Sequence, residues 1–107
     1  MADIAGLREL RDGRFFAGWD EFVSPERVAA SEASIRGLVD DLIAHGPELS
    51  EDAARAAVDA CVRRFNALDE EGWICTIERE DIYEQVGRAI DLCGFEYGEE
   101  WVSERDW

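Results

Sequence analysis

Apolar residues recur at intervals of three and four along the middle of the chain, which is the spacing of one face of an α-helix. The first such run begins at Ser24-Pro25-Glu26, where a serine can cap and a proline fits the first helical position, and it ends at His45-Gly46-Pro47. Its apolar positions are Val28, Ile35, Leu38, Val39, Leu42 and Ile43. The pattern predicts an amphipathic helix over residues 25–45.

Two further runs predict helices over residues 51–71 and 77–93. The first follows Ser50, and its apolar face comprises Ala54, Ala57, Val58, Cys61, Phe65 and Leu68. The second follows Thr76, which we interpret as its N-cap, and Gly94 ends it. Its apolar face comprises Ile82, Val86, Ala89, Ile90 and Cys93.

The segments outside these three helices are too apolar to be free linkers. Residues 3–11 predict a short helix with Ile4, Leu7 and Leu10 turned inward. We expect the aromatic stretch 15–23 to pack across one end of the helices, and the tail after Gly94 mixes aromatic residues with acids. The sequence contains no strand-like alternation and no repeat. It therefore predicts one all-α domain over residues 1–107, a three- to four-helix bundle with an aromatic N-terminal segment and an acidic aromatic C-terminal tail.

The net charge is −15, from 26 acidic residues against 11 basic residues that are all arginine. Such a surface repels the phosphates of nucleic acids and of anionic membranes, and it attracts cationic partners. We therefore expect no nucleic-acid and no membrane partner, and we favour a basic protein partner. An acidic surface that only keeps the protein dispersed in solution is the alternative.

Cys61, Cys75 and Cys93 are odd in number and widely separated, with no C-x-x-C pair. This spacing argues against a zinc site and against a disulfide framework, so we expect reduced thiols and assign no metal and no cofactor. The N-terminus MADIAGLREL lacks the basic and apolar regions of a secretory signal, and no apolar stretch has the length of a membrane span. We expect a cytoplasmic location.

The densest acidic stretch, TIEREDIYE, raises the question of whether its carboxylates form a catalytic cluster or decorate a helix start. Acids are common at a helix N-terminus because the dipole and the unpaired N–H groups stabilise each one by about 0.3 to 1 kcal/mol. Glu80 and Glu84 lie opposite the apolar stripe, on a solvated face. Glu78 differs, because it lies in line with Ile82 and Val86 on the side that faces the core.

Glu32 is a second inward acid, since it falls among the apolar positions of the first long helix. If Glu32 and Glu78 met, they would form a paired-carboxylate site or a polar network satisfied by arginines such as Arg36, Arg64 or Arg79. All-helical nucleotide pyrophosphatases hold magnesium with paired Glu-x-x-Glu and Glu-x-x-Asp motifs; Glu78 and Asp81 supply one such spacing without a second. A small divalent-metal-dependent enzyme using Glu32, Glu78 and Asp81 therefore stays an alternative, and we assign no catalytic residue.

The four tryptophans allow two interpretations. They seal the ends of the bundle, or Trp101 and Trp107 present aromatic anchors inside an acidic rim that suits a basic partner. A homo-oligomer with tryptophans buried between subunits is a further alternative. The partner-binding residues that we predict are Asp69, Glu70, Glu71, Glu78, Glu80, Asp81, Glu84, Glu99, Glu100, Trp101 and Trp107.

The stretch RFNALDEEGWICTIEREDIYEQVGRA, from Arg64 to Ala89, resembles a pattern of small uncharacterised bacterial proteins. In that pattern a helix ending in Phe-Asn-x-Leu is followed by an aromatic connector and by Thr-Ile-Glu-Arg-Glu-Asp. More generally, the chain is similar in size, charge and class to immunity proteins of toxin systems, some of which block basic nuclease toxins with acidic faces. The resemblance implies a non-enzymatic binding protein, and it assigns no site residues.

Overall fold

The computed structural model describes all 107 residues, and its secondary structure is entirely helical. Helix α1 spans Ile4–Asp12, α2 spans Pro25–His45, α3 spans Glu51–Leu68 and α4 spans Thr76–Leu92. Two short 3₁₀ turns lie at Ala17–Trp19 and Glu99–Val102. The prediction of an all-α bundle is confirmed. No helix combines the length and the apolar character that crossing a bilayer requires.

Side-chain caps fix where the first three helices begin. Asp3 accepts a hydrogen bond from the backbone N–H of Gly6 at 2.9 Å, and Ser24 accepts one from Arg27 at 3.4 Å. Ser50 accepts one from Ala53 at 3.1 Å. Each cap satisfies an N–H group that has no partner inside its own helix.

The connection between α3 and α4 differs from the prediction at both of its ends. Helix α3 stops at Leu68, because residues 69–72 turn instead of continuing to 71, with Gly72 in the left-handed conformation at a φ of 69°. Helix α4 begins with Thr76 already helical and Cys75 in the cap position, so the prediction of Thr76 as the N-cap is wrong. The side chain of Glu78 accepts the backbone N–H of Cys75 at 2.9 Å, which is the bond that the third helical residue makes back to the cap residue in a capping box.

One cluster of 28 buried hydrophobic residues fills the space between the helices. The predicted apolar stripes meet there, and Leu38 of α2, Val58 of α3 and Ile90 of α4 have no exposed surface. The short connection 46–50 makes α2 and α3 antiparallel neighbours, and α1 packs against α2 and α4. Burial of this apolar surface is the main favourable contribution to folding.

The aromatic segment 15–23 is held between α2 and α4. Phe16 stacks on Trp19 with ring centroids 4.1 Å apart, and both rings are buried. The backbone N–H of Phe15 donates to Glu32 of α2 at 3.2 Å, while its carbonyl accepts from the Gln85 amide of α4 at 3.2 Å. Because the backbone N–H and carbonyl of the buried residue Phe15 both have hydrogen-bond partners, the segment can enter the core.

The C-terminal tail closes over α3 and α4. Its apolar residues Trp101, Val102 and Trp107 are buried. The side chain of Asn66 on α3 donates to the carbonyl of Glu104 at 3.0 Å and accepts from the N–H of Asp106 at 2.8 Å. The tail is therefore part of the folded unit, with its acids facing outward and its aromatic rings facing the helices.

Candidate binding surface

Three of the acidic residues between positions 69 and 84 are engaged in the fold itself. Asp69 accepts the backbone N–H of Ile74 at 2.8 Å, Glu78 accepts that of Cys75 at 2.9 Å, and Asp81 accepts the indole N–H of Trp19 at 2.8 Å. Glu78 is buried, and the other two are half-buried. We call Asp69, Glu78 and Asp81 the bonded acids, because each accepts a hydrogen bond from a donor of the fold.

Three other acids of the same stretch make no bond within the chain. Glu70, Glu80 and Glu84 are exposed, and we call them the free acids. Glu71 is also exposed and forms a surface ion pair with Arg27 at 2.9 Å. Since a pair of this kind contributes about 0 to 1 kcal/mol, Glu71 stays accessible to a competing cation. The free acids and Glu71 form the exposed acidic surface of this end of the bundle.

Little of the negative charge is neutralised within the chain. Only six of the 26 acidic residues form an ion pair with an arginine, and they are Asp12, Asp20, Glu32, Asp40, Glu51 and Glu71. Several arginines instead bind uncharged groups: Arg64 donates to the carbonyl of Ser34 at 2.8 Å, and Arg105 donates to the hydroxyl of Tyr83. The outward field of the molecule is consequently negative.

Glu32 is the one acid that is both buried and paired. It accepts hydrogen bonds from the Arg14 side chain and from the Phe15 N–H, and Arg36 lies 3.7 Å away. The hydrogen bonds that Arg14 makes to Glu32 and, to a lesser extent, to Asp20 raise the pKa of Arg14 above its ordinary value. The arginine network that we expected if Glu32 and Glu78 met surrounds Glu32 without Glu78. Arg36 lies at its edge, and Arg14 is a member that the helical pattern did not reveal.

Glu32 and Glu78 do not share a partner. Glu32 binds the segment before α2, and Glu78 caps its own helix. Asp81 in turn is bonded to Trp19. No three His, Cys, Asp or Glu side chains are grouped so that they could hold a metal ion. The carboxylates of the metal-dependent alternative therefore have separate structural partners.

A pocket of about 560 Å³ opens beside Glu32, between the segment 14–25 and α2. Its charged lining consists of Arg14, Asp20, Glu32 and Arg36. Arg14 pairs with Asp20 at 3.1 Å and also with Glu32, so the two signs of charge are already matched inside the pocket. These ion pairs connect the charged side chains of the pocket lining, so none of the four is left unpaired for a ligand.

The structure places Trp101 and Trp107 inside the molecule, with 2% and 8% of their surface exposed. The ring centroids of Trp107 and Phe65 are 5.9 Å apart, and the guanidinium carbon of Arg55 lies 4.1 Å from the ring centroid of Trp101. Of the two interpretations of the tryptophans, this burial agrees with rings that seal the bundle, and it corrects the prediction of Trp101 and Trp107 as exposed partner-binding anchors. Glu99 and Glu100 beside them are exposed. Trp19 is 1% exposed within one chain, so its burial needs no second subunit.

Two exposed hydrophobic residues, Phe22 and Ile77, were not among the predicted site residues. They are 56% and 64% exposed. The sequence held a signal for Ile77, because it precedes Ile82 by five positions, which is about 140° away from the apolar stripe of α4. Phe22 carried no such signal, since it lies in a segment without helical periodicity.

Burial raises the pKa of two of the three thiols and of one tyrosine. Desolvation raises the pKa of Cys61 and raises that of Cys93 to about 11, whereas Cys75 is exposed. Burial also raises the pKa of Tyr97 to about 12, and its hydroxyl has no hydrogen-bond partner. Raised thiol pKa values favour the unreactive protonated form, so Cys61 and Cys93 behave as small hydrophobic residues.

Family models, curated proteins and solved structures all gave no match. The residues and their geometry are accordingly the basis for a functional proposal.

Proposed function

We propose that this protein is a non-enzymatic binding protein that engages a basic protein partner through its exposed acidic surface, in the manner of an immunity-type inhibitor. The observation that carries the proposal is the division between bonded and free acids. Asp69, Glu78 and Asp81 each satisfy a donor of the fold. Glu70, Glu80 and Glu84 satisfy none and are exposed, so their charge is available to a partner.

The electrostatics support a cationic partner of protein type. Free carboxylates on a chain of charge −15 attract a basic surface over roughly one Debye length, about 8 Å at physiological salt. Such attraction accelerates encounter and disfavours acidic competitors. Nucleic acids and anionic lipid surfaces are repelled by the same field. The tail acids Glu99 and Glu100 are also exposed.

Affinity capture tests this proposal. The immobilised protein is exposed to a lysate of the organism that encodes it at about 50 mM salt, and the salt is then raised to about 500 mM. We expect a stoichiometric basic protein that elutes as the salt rises. The variant Glu80→Lys/Glu84→Lys loses this protein, whereas Glu48→Lys/Asp52→Lys, at the opposite end of α3, retains it. An empty capture, or one indifferent to salt and to both variants, contradicts the proposal.

A second copy of the chain is a second candidate partner, and a different surface favours it. The groove between α2 and α3 holds two pockets, whose small lining residues include Ala30, Ala33, Ala44, Ala53, Ala56, Ala60 and Ala67. Arg64 lines one of these pockets and Asp41 lines the other. In a two-fold arrangement each Arg64 would approach the partner copy's Asp41, and the small side chains would let the helices pack closely.

Sedimentation over a range of protein concentrations distinguishes this second candidate. A dimer on the alanine-lined groove dissociates on dilution, and Ala56→Arg abolishes it because a long charged side chain then occupies the contact. Glu80→Lys leaves such a dimer intact. A monomer at every concentration eliminates the self-association candidate and leaves the basic partner.

A further inference from the structure

Three large hydrophobic side chains are exposed, and two of them are close along the chain to Trp19 and Asp81, which are joined by a hydrogen bond. These three are Met1, Phe22 and Ile77. The N–H of Phe22 closes a turn on the carbonyl of Trp19 at 3.0 Å, and Ile77 lies one helical turn before Asp81 on the same side of α4. Since Trp19 and Asp81 are bonded to each other, Phe22 and Ile77 lie at one end of the molecule. Met1 lies beside Gly94, past the opposite end of α4.

The aromatic rings next to the Trp19–Asp81 bond pack against one another. Trp19 stacks on Phe16 and meets the edge of Trp73 with centroids 6.1 Å apart. The indole N–H of Trp73 donates to the carbonyl of Leu68 at 2.6 Å, and Arg27 covers its ring at 5.2 Å. Side chains that are already packed in the free protein lose less conformational entropy when a partner binds next to them.

Exposed acids lie close along the chain to the two exposed hydrophobic residues. Glu80 lies one helical turn from Ile77, Glu21 directly precedes Phe22, and Glu70 lies in the turn that leads to Trp73. All three are exposed and make no bond within the chain. An apolar centre within a charged rim is the general anatomy of a protein interface, in which the centre supplies affinity and the rim supplies orientation.

We infer that Phe22 and Ile77, here called the α4 end patch, form the centre of the partner's docking site. The partner is a protein that inserts an apolar side chain against the patch and sets arginines or lysines around it. The charge of the rim argues for this occupant, because Glu21, Glu70 and Glu80 need cations opposite them when water is excluded. The inference rests on the proposed function and adds to it the location and chemistry of the contact.

The same rim disfavours the other occupants of an apolar patch. A second copy of the chain would place like charges against one another, at a cost that rises as the interface dries. An anionic lipid surface is repelled by the three carboxylates. A basic amphipathic segment matches both the apolar centre and the acidic rim.

The test uses two synthetic helical peptides with the same number of arginines. One has leucines along a face, and the other has glutamines in their place. Fluorescence anisotropy measures the Kd of each at about 50 mM salt for the parent protein, for Ile77→Ser and for Ala5→Ser. Ala5 is the matched control, because it is exposed and occupies the same second helical position in α1 that Ile77 occupies in α4. Melting temperatures establish that all three proteins are folded.

We expect the leucine peptide to bind the parent and Ala5→Ser equally, and Ile77→Ser at least about tenfold more weakly. The glutamine peptide binds all three proteins weakly and alike. Equal binding of the leucine peptide to the parent and Ile77→Ser, with binding lost at high salt, would overturn the docking site and leave the acidic binding function standing. Failure of both peptides to bind at low salt would overturn the proposed function as well. A dimer of the parent that Ile77→Ser abolishes would assign the patch to a second copy instead.

Discussion

The indole N–H of Trp19 donates a 2.8 Å hydrogen bond to the carboxylate of Asp81, and this bond joins the aromatic segment before α2 to the first turns of α4. Trp19 is 1% exposed, so its N–H has no access to water as an alternative partner. The bond therefore does two things at once. It satisfies the N–H of the buried indole, and it links the two segments that carry the exposed residues Phe22 and Ile77.

Replacing Asp81 by alanine should destabilise the protein by about 1 to 3 kcal/mol, because it leaves the buried indole N–H without an acceptor. Chemical denaturation followed by tryptophan fluorescence measures the loss. Glu84→Ala, one helical turn away on the exposed face, is the control and should change the free energy of unfolding by no more than about 0.5 kcal/mol. Equal effects of the two substitutions would show that the Trp19 bond contributes nothing.

Glu32 should be required for the position of the aromatic segment. Glu32→Ala removes the acceptor of the buried Phe15 N–H, and we expect a loss of about 1 to 3 kcal/mol in the free energy of unfolding. Glu32→Gln keeps an oxygen acceptor and should lose less. The exposed Glu48→Ala serves as the control in the same denaturation series. A Glu32→Ala variant as stable as the parent would mean that the segment is held by its rings alone.

Trp107 should behave as a core residue. Trp107→Ala removes a buried ring that packs on Phe65 and Tyr83, so we expect a loss of about 3 to 5 kcal/mol. Phe22→Ala removes an exposed ring and should cost far less in the same denaturation experiment. If Trp107→Ala kept the parent's stability, the tail would not be packed as the structure has it.

The helices were predictable because each one has a continuous apolar stripe and most have an ordinary cap. Leu38 and Val39 of α2 and Val58 of α3 are buried as their spacing requires. The start of α4 was harder, because threonine is a good cap and cysteine is a poor one. The three-residue spacing from Cys75 to Glu78 was the available signal, since the glutamate of a capping box reaches back to the cap N–H.

The candidate site was predictable only in part. The acidic stretch was visible, but the division of its members was not, because the partners of Asp69 and Asp81 are set by a turn and by a residue 62 positions away. The tail lacks helical periodicity, so nothing in its pattern revealed that Trp101 and Trp107 cover α3 and α4. Tertiary packing determines where these side chains lie, and the apolar pattern of one helix does not encode how the segments pack together.

Stability should fall at alkaline pH. Burial raises the pKa of Cys93 from 9.0 to about 11 and that of Tyr97 from 10.0 to about 12. Both groups are neutral in the folded protein at pH values where they ionise in the unfolded chain. Their contributions are therefore complete below pH 9 and are lost progressively as the pH rises toward those raised values.

Tyr97→Phe tests the tyrosine contribution to this pH dependence. The variant should be at least as stable as the parent at neutral pH, because the hydroxyl that it removes is buried without a partner. Between pH 10 and 12 its melting temperature should fall less steeply than that of the parent. Parallel curves for the two proteins would show that Tyr97 ionises freely in the folded state.

The most direct measurement compares two triple variants, each of which removes three negative charges from the same stretch of chain. Asp69→Ala/Glu78→Ala/Asp81→Ala removes the bonded acids, and Glu70→Ala/Glu80→Ala/Glu84→Ala removes the free acids. We predict that the first loses at least about 2 kcal/mol in free energy of unfolding, because its donors lose their acceptors. The second keeps the parent's stability and loses retention of the captured basic protein. Stability lost equally in both variants, or retention unchanged in the second, would contradict the division of the acids between fold and function.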